Sequence, residues 1–170
     1  MDREPRYRLR AAAPEDEPFL WEMLHQAIFV PEGEPPPPRE IVREPSISRY
    51  VSGWGRAGDE GVVGMDLETG VQAGAAWFRL FTTEEPGFGF VNPATPEISI
   101  AVAAGHRGRG LGTAMLNRLI AGAGGRYGAL SLSCDPANPA WRLYRRLGFE
   151  LETTERTMRL DLRINRIESD

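Results

Sequence analysis

The sequence predicts an α/β or α+β domain in which about four helices flank a mixed β-sheet. Segments of alternating polarity are interleaved with segments of helical periodicity, in the order β-α-α-β-β-β-α-β-α-β-β and without internal repeats. The chain has 170 residues, of which 41% are hydrophobic and 26% are charged. That length and composition suit one compact core, so we expect residues 1–170 to form a single domain.

The first elements are a strand, a helix and a proline-rich loop. Residues 7–10 alternate in polarity as a short strand does, and apolar residues recur at helical spacing over residues 19–28, after acidic residues suited to a helix N-terminus. Pro31 ends this helix. The stiff proline run at 35–38 is expected to form a loop over a binding face. A second short helix is predicted over residues 46–54, where glycines close it.

The rest of the chain alternates strands with helices. Its predicted elements, in order, are strands at 61–67, 71–81 and 97–102, a helix of about 12 residues after a glycine-rich turn, a strand at 129–134, a helix at 138–147, and a strand pair at 149–153 and 157–162. The polar residues 163–170 are expected to form a frayed tail.

Composition excludes several classes of function. The net charge of −4 disfavours a nucleic-acid binder, and no apolar stretch approaches the length of a membrane span or a signal sequence, which predicts a cytoplasmic protein. All 20 basic residues are arginine, so lysine-dependent mechanisms are excluded. A lone cysteine, Cys134, excludes an internal disulfide and is expected to be a packed, structural thiol. His25 and His106 stand apart from other ligands, so no metal site is predicted.

The turn at residues 106–113 is the main candidate binding site. Glycines between a strand and a helix allow close approach of a ligand, and the helix N-terminus and two arginines favour a pyrophosphate. A Walker A loop would need the missing lysine. A dinucleotide-binding turn would need different glycine spacing and a later acidic residue. A glycine-rich turn without any ligand is the remaining structural alternative.

Two motifs carry a resemblance to a known family. Arg107-x-x-Gly110-x-Gly112 resembles the R/Q-x-x-G-x-G/A pyrophosphate signature of the GNAT superfamily of N-acetyltransferases. Residues 138–149 resemble its other hallmark, N-x-x-A-x-x-L-Y-x-x-x-G-F, in the family's order: Ala140, Leu143, Tyr144, Gly148 and Phe149 have the motif's spacing, and Asn138 lies one residue closer to the alanine than the motif has it. The resemblance is strong from Glu97 to Phe149 and looser outside that range.

The resemblance implies a fold and a co-substrate. The fourth and fifth strands of the mixed sheet would splay apart, and acetyl-CoA would lie in the opening with no metal involved. Backbone groups of the fourth strand, near Ile100, Ala101 and Val102, would hold the pantetheine arm. Asn138 would contact the arm, cap its helix, or do both. The pyrophosphate would be held by Arg107, Gly108, Arg109, Gly110, Leu111, Gly112 and Thr113.

Two side chains are candidates for the chemistry. The resemblance implies that Tyr144 is the general acid that protonates the departing thiolate; the alternative is a buried tyrosine that anchors helix packing. Glu97 would be the base that deprotonates the acceptor amine, directly or through water; the alternative is a solvated charge at a strand end.

The sequence does not identify the acceptor. Aromatic and acidic residues of the early helices and of loop 82–95 could hold a cationic amine, on a small molecule or a peptide, or could be ordinary core and surface residues. These residues are Trp54, Trp77, Phe88, Phe90, Glu32, Glu34, Glu84 and Glu85. The rival functions are a non-catalytic acyl-CoA sensor and a protein-interaction domain without a small ligand. Family members are often homodimers, although no interface is evident in the sequence.

Overall fold

The computed structural model describes residues 4–152 and 154–163. The strands in that part are β1 (Tyr7–Ala11), β2 (Glu60–Asp66), β3 (Gln72–Arg79), β4 (Glu97–Val102), β5 (Ala129–Ser133), β6 (Glu150–Leu151) and β7 (Thr157–Asp161). The helices are α1 (Glu17–Ala27), α2 (Pro45–Ser48), α3 (Leu111–Ala123) and α4 (Ala140–Arg146), with 3₁₀ turns at Pro14–Asp16 and Arg39–Arg43. No helix among these is long and apolar enough to cross a membrane.

The strands form one seven-stranded sheet in the order β1-β2-β3-β4-β5-β7-β6. Every neighbouring pair is antiparallel except β4 and β5, which are parallel. The predicted mixed sheet with flanking helices is therefore confirmed. Because parallel neighbours need a crossover, α3 connects β4 to β5.

Helices cover both faces of the sheet because β3 is apolar on both of its faces. Ala76 and Phe78 belong to the core under α3, whereas Ala75 and Trp77 belong to the core under α1. All four side chains are fully buried. Each large apolar side chain buried in this way stabilises the fold by about 1.5–3 kcal/mol. The alternation of β3 thus holds the two helical layers in fixed positions around β4.

The fourth and fifth strands meet at one point and then separate, as expected. Their register contains a single pair, Glu97 opposite Ser131, and the Ser131 N–H donates to the Pro96 carbonyl over 2.9 Å. Beyond this pair β4 continues along β3 alone, and β5 continues along β7. The splay leaves one edge of β4 open over most of its length.

The second helix is much shorter than predicted for residues 46–54. Only α2 is helical, because side chains of the sheet bind the backbone that follows it. The guanidinium of Arg79 donates to the carbonyls of Arg49 (2.9 Å) and Ser52 (2.6 Å), and it forms a buried ion pair with Asp59 at 2.7 Å. Breaking a buried pair of this kind typically costs about 3–5 kcal/mol, so residues 49–59 are firmly attached to β3.

Two later elements also differ from expectation. The last helix begins at Ala140 rather than at 138, and the Asn138 side chain accepts a hydrogen bond from the Ala140 N–H over 2.9 Å. The strand predicted at 149–153 is limited to β6, since Phe149 is buried in the core and residue 153 lies outside the described residues. The predicted tail, beyond Arg163, also lies outside them.

Candidate active site

A cleft of about 1560 Å³ lies in the opening between β4 and β5. Its walls also include the end of α1, the proline-rich loop, the β3–β4 loop and the start of α4. Its depth and mixture of apolar and polar walls are those of a ligand site. The predicted residues that line this cleft are Glu97, Ile100, Ala101, Val102, Arg107, Gly112, Asn138 and Tyr144.

The glycine-rich turn forms one end of the cleft. Gly110 precedes α3 with φ of 83°, a left-handed conformation that strains any residue with a side chain, and this turn starts the helix beside the end of β4. The first backbone N–H groups of a helix have no partner within the helix. Those of Leu111, Gly112 and Thr113 are therefore available to an anion, although the Leu111 side chain itself is buried in the core. Arg107 bonds the Val102 carbonyl at 3.0 Å.

The open edge of β4 presents backbone polar groups to the cleft. The carbonyls of Pro96 and Val102 point away from β3, towards Ser131 and Arg107, while the Ala103 N–H donates to Ala73 over 2.8 Å. Because backbone groups alternate along a strand, those of Ile98 and Ile100 also point away from β3, and those of Ala101 point towards it. At the single β4–β5 pair the Ile98 N–H faces the Ser131 carbonyl, so the groups of Ile100 are the ones left open to the cleft. This edge has the donors and acceptors that an extended amide-containing ligand needs.

Tyr144 lies on α4 and lines the cleft with only 7% of its surface exposed. Its ring packs edge to face on Phe149 with centroids 6.1 Å apart. Because the side chain lines the cleft, its hydroxyl can donate to a ligand there. Burial, with a smaller contribution from Cys134, raises the pKa of Tyr144 well above its ordinary value, which keeps the phenol protonated.

Asn138 lies in the cleft wall just before α4. Its side-chain oxygen accepts the Ala140 N–H described above, and Pro139 stands between it and the helix. Its side-chain N–H₂ group is not engaged by that bond and is available at the cleft wall.

Glu97 begins β4 and is 3% exposed, which rules out the solvated-charge alternative. Its Oε2 accepts a hydrogen bond from the Tyr50 hydroxyl, and its Oε1 accepts one from the Gly89 N–H over 3.0 Å. Burial raises the pKa of Glu97 to about 7, despite the opposing effect of these two hydrogen bonds. The carboxyl group can therefore exchange a proton near neutral pH.

The β3–β4 loop closes tightly over this carboxylate. A Cβ atom at Gly87 would lie 2.7 Å from the Tyr50 hydroxyl and closer still to Glu97. Only glycine permits this approach. Further along, Gly89 packs on the backbone of Leu132, so the loop bridges β4 and β5 at the base of the splay.

Tyr50 is the partner of Glu97 in the cleft that the sequence does not predict. It lies 47 residues before Glu97, in a segment predicted to be helical, and no local pattern relates the two. It is 7% exposed and lines the cleft. Only the long-range pairing of β3 with β4 and the attachment of residues 49–59 to Arg79 bring the hydroxyl to the carboxylate.

The predicted acceptor residues divide into two groups. Phe88, 62% exposed, and Glu32 line the cleft. Trp77 is instead fully buried and donates to the Tyr50 carbonyl over 3.0 Å, and Trp54 donates to the Ala13 carbonyl over 3.2 Å, so both are structural. Glu34, Glu84, Glu85 and Phe90 are not part of the cleft wall.

Cys134 also lines the cleft, at the end of β5. Burial, with a contribution from Asp135, raises the pKa of Cys134 to about 11, so the thiol is protonated at neutral pH. This favours the structural role expected for it. In the described part of the chain, no three His, Cys, Asp or Glu side chains are grouped closely enough to hold a metal ion.

Comparison with protein families gives one match that covers most of the chain. The model of the acetyltransferase (GNAT) family matches residues 18–149, which include the turn, β4, Tyr144 and the whole cleft-forming crossover. No curated protein sequence matches the chain significantly.

Solved structures show the same fold at low sequence identity. A phosphinothricin acetyltransferase from Sinorhizobium meliloti, solved in complex with AcCoA, is 22% identical with a TM-score of 0.62, over 93% of this chain and 89% of that one. The spermidine/spermine N-acetyltransferase SpeG from Vibrio cholerae, solved with manganese ions, is 19% identical with a TM-score of 0.60, over 97% and 98%. A GCN5-related N-acetyltransferase from Kribbella flavida is 23% identical with a TM-score of 0.61, over 92% and 98%.

Proposed function

The chain belongs to the GNAT family of acetyltransferases, and from this membership we propose that it transfers an acetyl group from acetyl-CoA to a primary amine by direct attack. The observation that supports this most is the cleft itself. One continuous opening begins at the glycine-rich turn, follows an open strand edge, and contains both a buried carboxyl group and a protonated phenol. These are the groups that amine attack on a thioester requires.

The residues present fit acetyl-CoA as the donor. The turn of residues 107–113 offers helix N–H groups and Arg107 to a pyrophosphate. The open β4 edge offers alternating donors and acceptors to the amides of a pantetheine arm, and Asn138 lies across the cleft from that edge. An arm that follows β4 back from the turn brings its thioester towards Ile98 and Glu97. The Ile100 N–H, on the open edge of β4 near that point, can stabilise negative charge on the carbonyl oxygen.

The acceptor would enter at the other end of the cleft. Phe88, Tyr50 and Ile47 line this end together with Pro36 and Pro37. Glu32, also in the wall, supplies an exposed negative charge. Aromatic faces beside a carboxylate favour a cation, so an amine next to an apolar group suits these walls. The named neighbours act on phosphinothricin and on spermidine or spermine, and both acceptors carry amines.

A panel of primary amines assayed with acetyl-CoA for thiol release tests this function. Enzymatic release of free CoA with at least one amine, together with binding of acetyl-CoA by titration calorimetry, is the expected result. Binding without release from any amine would instead favour the acyl-CoA sensor. If acetyl-CoA fails to raise the melting temperature, the protein-interaction alternative is favoured, since a ligand that binds the native state must stabilise it.

Replacing Tyr144 with phenylalanine is expected to lower kcat by about 100-fold, with little change in KM for acetyl-CoA, because the ring still packs on Phe149 while the proton donor is lost. Cys134→Ala is the matched control in the same wall, and we expect it to keep its turnover because a protonated thiol does not form an acyl-enzyme. Undiminished turnover of Tyr144→Phe would assign the tyrosine to helix packing alone.

A further inference from the structure

Both oxygens of the Glu97 carboxylate already accept hydrogen bonds. Gly89 and the close backbone of Gly87 enclose Oε1, and the Tyr50 hydroxyl donates to Oε2. Each oxygen keeps a further lone pair, so it is the enclosing loop that limits access to the carboxylate. The Tyr50 oxygen also has capacity left. A hydroxyl has one hydrogen to donate and two lone pairs. Tyr50 donates to Glu97 and accepts from the Phe88 N–H over 2.7 Å, so one lone pair remains for a ligand in the cleft.

The hydroxyl of Tyr50 is held in place from both ends of the residue. Its backbone carbonyl accepts a hydrogen bond from Trp77 over 3.0 Å, and Arg79 bonds the carbonyls on either side of it in sequence. Its ring packs edge to face on Phe81 at 5.0 Å and stacks with Phe88 at 6.3 Å between centroids. A proton-transferring group needs this fixed geometry, because proton transfer requires hydrogen-bond contact at a set distance.

The cations around this pair bind elsewhere and leave the carboxylate free to act as a base. Arg79 lies opposite Glu97 in the β3–β4 register, but its guanidinium pairs with Asp59 at 2.7 Å. Arg49, just before Tyr50, donates to the Pro45 and Pro86 carbonyls. On the β5 side the neighbour of Glu97 is Ser131, which is uncharged, and Arg159 lies one strand further, opposite Ser131.

We propose that Tyr50 is a third catalytic residue, which relays the proton from the acceptor amine to Glu97. The inference rests on the proposed acetyl transfer. The ammonium group gives one proton to the Tyr50 oxygen as the hydroxyl proton of Tyr50 passes to Oε2 of Glu97. The products of the step are a neutral amine, an unchanged neutral tyrosine and a protonated Glu97, which later returns its proton to water. Charge and atoms balance without a further reactant.

The relay explains why a buried base can serve an amine in the cleft. Burial and the adjacent carboxylate raise the pKa of Tyr50 well above its ordinary value, so the phenol stays neutral and passes a proton on without accumulating as tyrosinate. The carboxylate, enclosed by the loop, need not touch the amine itself.

Replacing Tyr50 with phenylalanine tests the relay, because the ring and its packing are kept and only the hydroxyl is lost. We expect kcat/KM with the best amine of the panel to fall about 100-fold, and to remain low at pH values above the titration of Glu97. With hydroxylamine, an acceptor that is largely unprotonated at neutral pH, the loss should be much smaller. The double variant Tyr50→Phe, Glu97→Gln should be no slower than Glu97→Gln alone, because the two residues serve one step.

A readout apart from turnover follows the carboxyl group directly. In ¹³C NMR of protein labelled at the glutamate carboxyl carbons, Tyr50→Phe should raise the pKa of Glu97, since a hydrogen bond that favours the ionised form is lost. Tyr127→Phe is the control, because Tyr127 packs on Phe78 outside the cleft wall and should leave both turnover and titration unchanged.

The outcomes separate the two proposals. A Tyr50→Phe variant that matches the wild type, or one that recovers full activity at high pH, would show that Tyr50 only adjusts Glu97 and would overturn the relay while acetyl transfer stands. An equal loss with hydroxylamine would overturn it as well. Absence of transfer by the wild-type protein to every amine would overturn the proposed function, and the relay with it.

Discussion

Replacing Glu97 with glutamine is expected to lower kcat/KM by about 100- to 1000-fold, because the amide cannot accept the proton that the acceptor amine must lose before attack. Glutamine keeps nearly the same shape. Its side-chain oxygen can accept from Gly89, and its N–H₂ group can donate to the Tyr50 oxygen, so the surrounding loop need not move.

The pH dependence of kcat/KM identifies the group that acts as the base. The carboxylate is the active form of a base, so wild-type kcat/KM should rise as the pH passes the pKa of Glu97, which burial raises to about 7. Glu97→Gln should lack this rise. A rate profile measured from pH 5 to pH 9 on both proteins makes the comparison, and a rise near pH 7 that persists in the variant would assign the titration to another group.

Stability distinguishes lost chemistry from lost structure. Burial raises the pKa of Glu97 in the folded protein above the ordinary value of 4.5, so its contribution to stability is fully present below pH 4.5 and is lost as the pH rises through about 7. Glutamine has no such ionisation. The melting temperature of Glu97→Gln relative to wild type should therefore increase between pH 4.5 and about pH 7 and stay constant at higher pH. Glu85→Gln, in the exposed part of the same loop, should change neither the rate nor this pH dependence.

Much of the donor side of the cleft could be predicted from the sequence because it is locally encoded. The turn, its glycines and the helix after it lie within a few residues, and backbone conformation alone shapes the proposed anion site. The start of β4 at Glu97 was likewise visible as alternation, and the structure has the same bounds.

Tyr144 and Glu97 were named as candidates, but the surroundings of Glu97 could not be predicted because they depend on contacts distant in sequence. In the sequence, Glu97 has the pattern of an ordinary charge at a strand end, because nothing there shows that the loop with Gly87 folds over it. The segment around Tyr50 has a helical sequence pattern, but in the structure Arg79 donates hydrogen bonds to its carbonyls. Trp77, which was a candidate for acceptor binding, is buried because β3 is apolar on both faces.

Arg79 and Glu97 are neighbours in the sheet but bind different partners. They lie opposite each other on β3 and β4 and could have formed an ion pair. Asp59 neutralises the arginine instead, which anchors the Tyr50 segment and leaves the carboxylate without a cation. A direct pair would have lowered the pKa of the carboxyl group and weakened it as a base.

Charge reversal in the turn is expected to abolish donor binding. In the double variant Arg107→Glu, Gly110→Asp, a carboxylate replaces the cation beside the end of β4, and a second one stands before the N–H groups of α3. Both repel a pyrophosphate, and a side chain at the left-handed Gly110 strains the start of the helix. We expect Kd for acetyl-CoA to rise at least about 100-fold, equivalent to about 2.7 kcal/mol, as measured by titration calorimetry.

Arg118→Glu provides the control for this change. Arg118 is an exposed residue of the same helix and is not part of the cleft wall, so its reversal alters net charge without altering the turn. It should bind acetyl-CoA with an affinity close to that of the wild type and should keep the thermal stabilisation that the ligand confers. Should the double variant bind acetyl-CoA as tightly as Arg118→Glu does, the turn would be a structural connection between β4 and α3 rather than the pyrophosphate site.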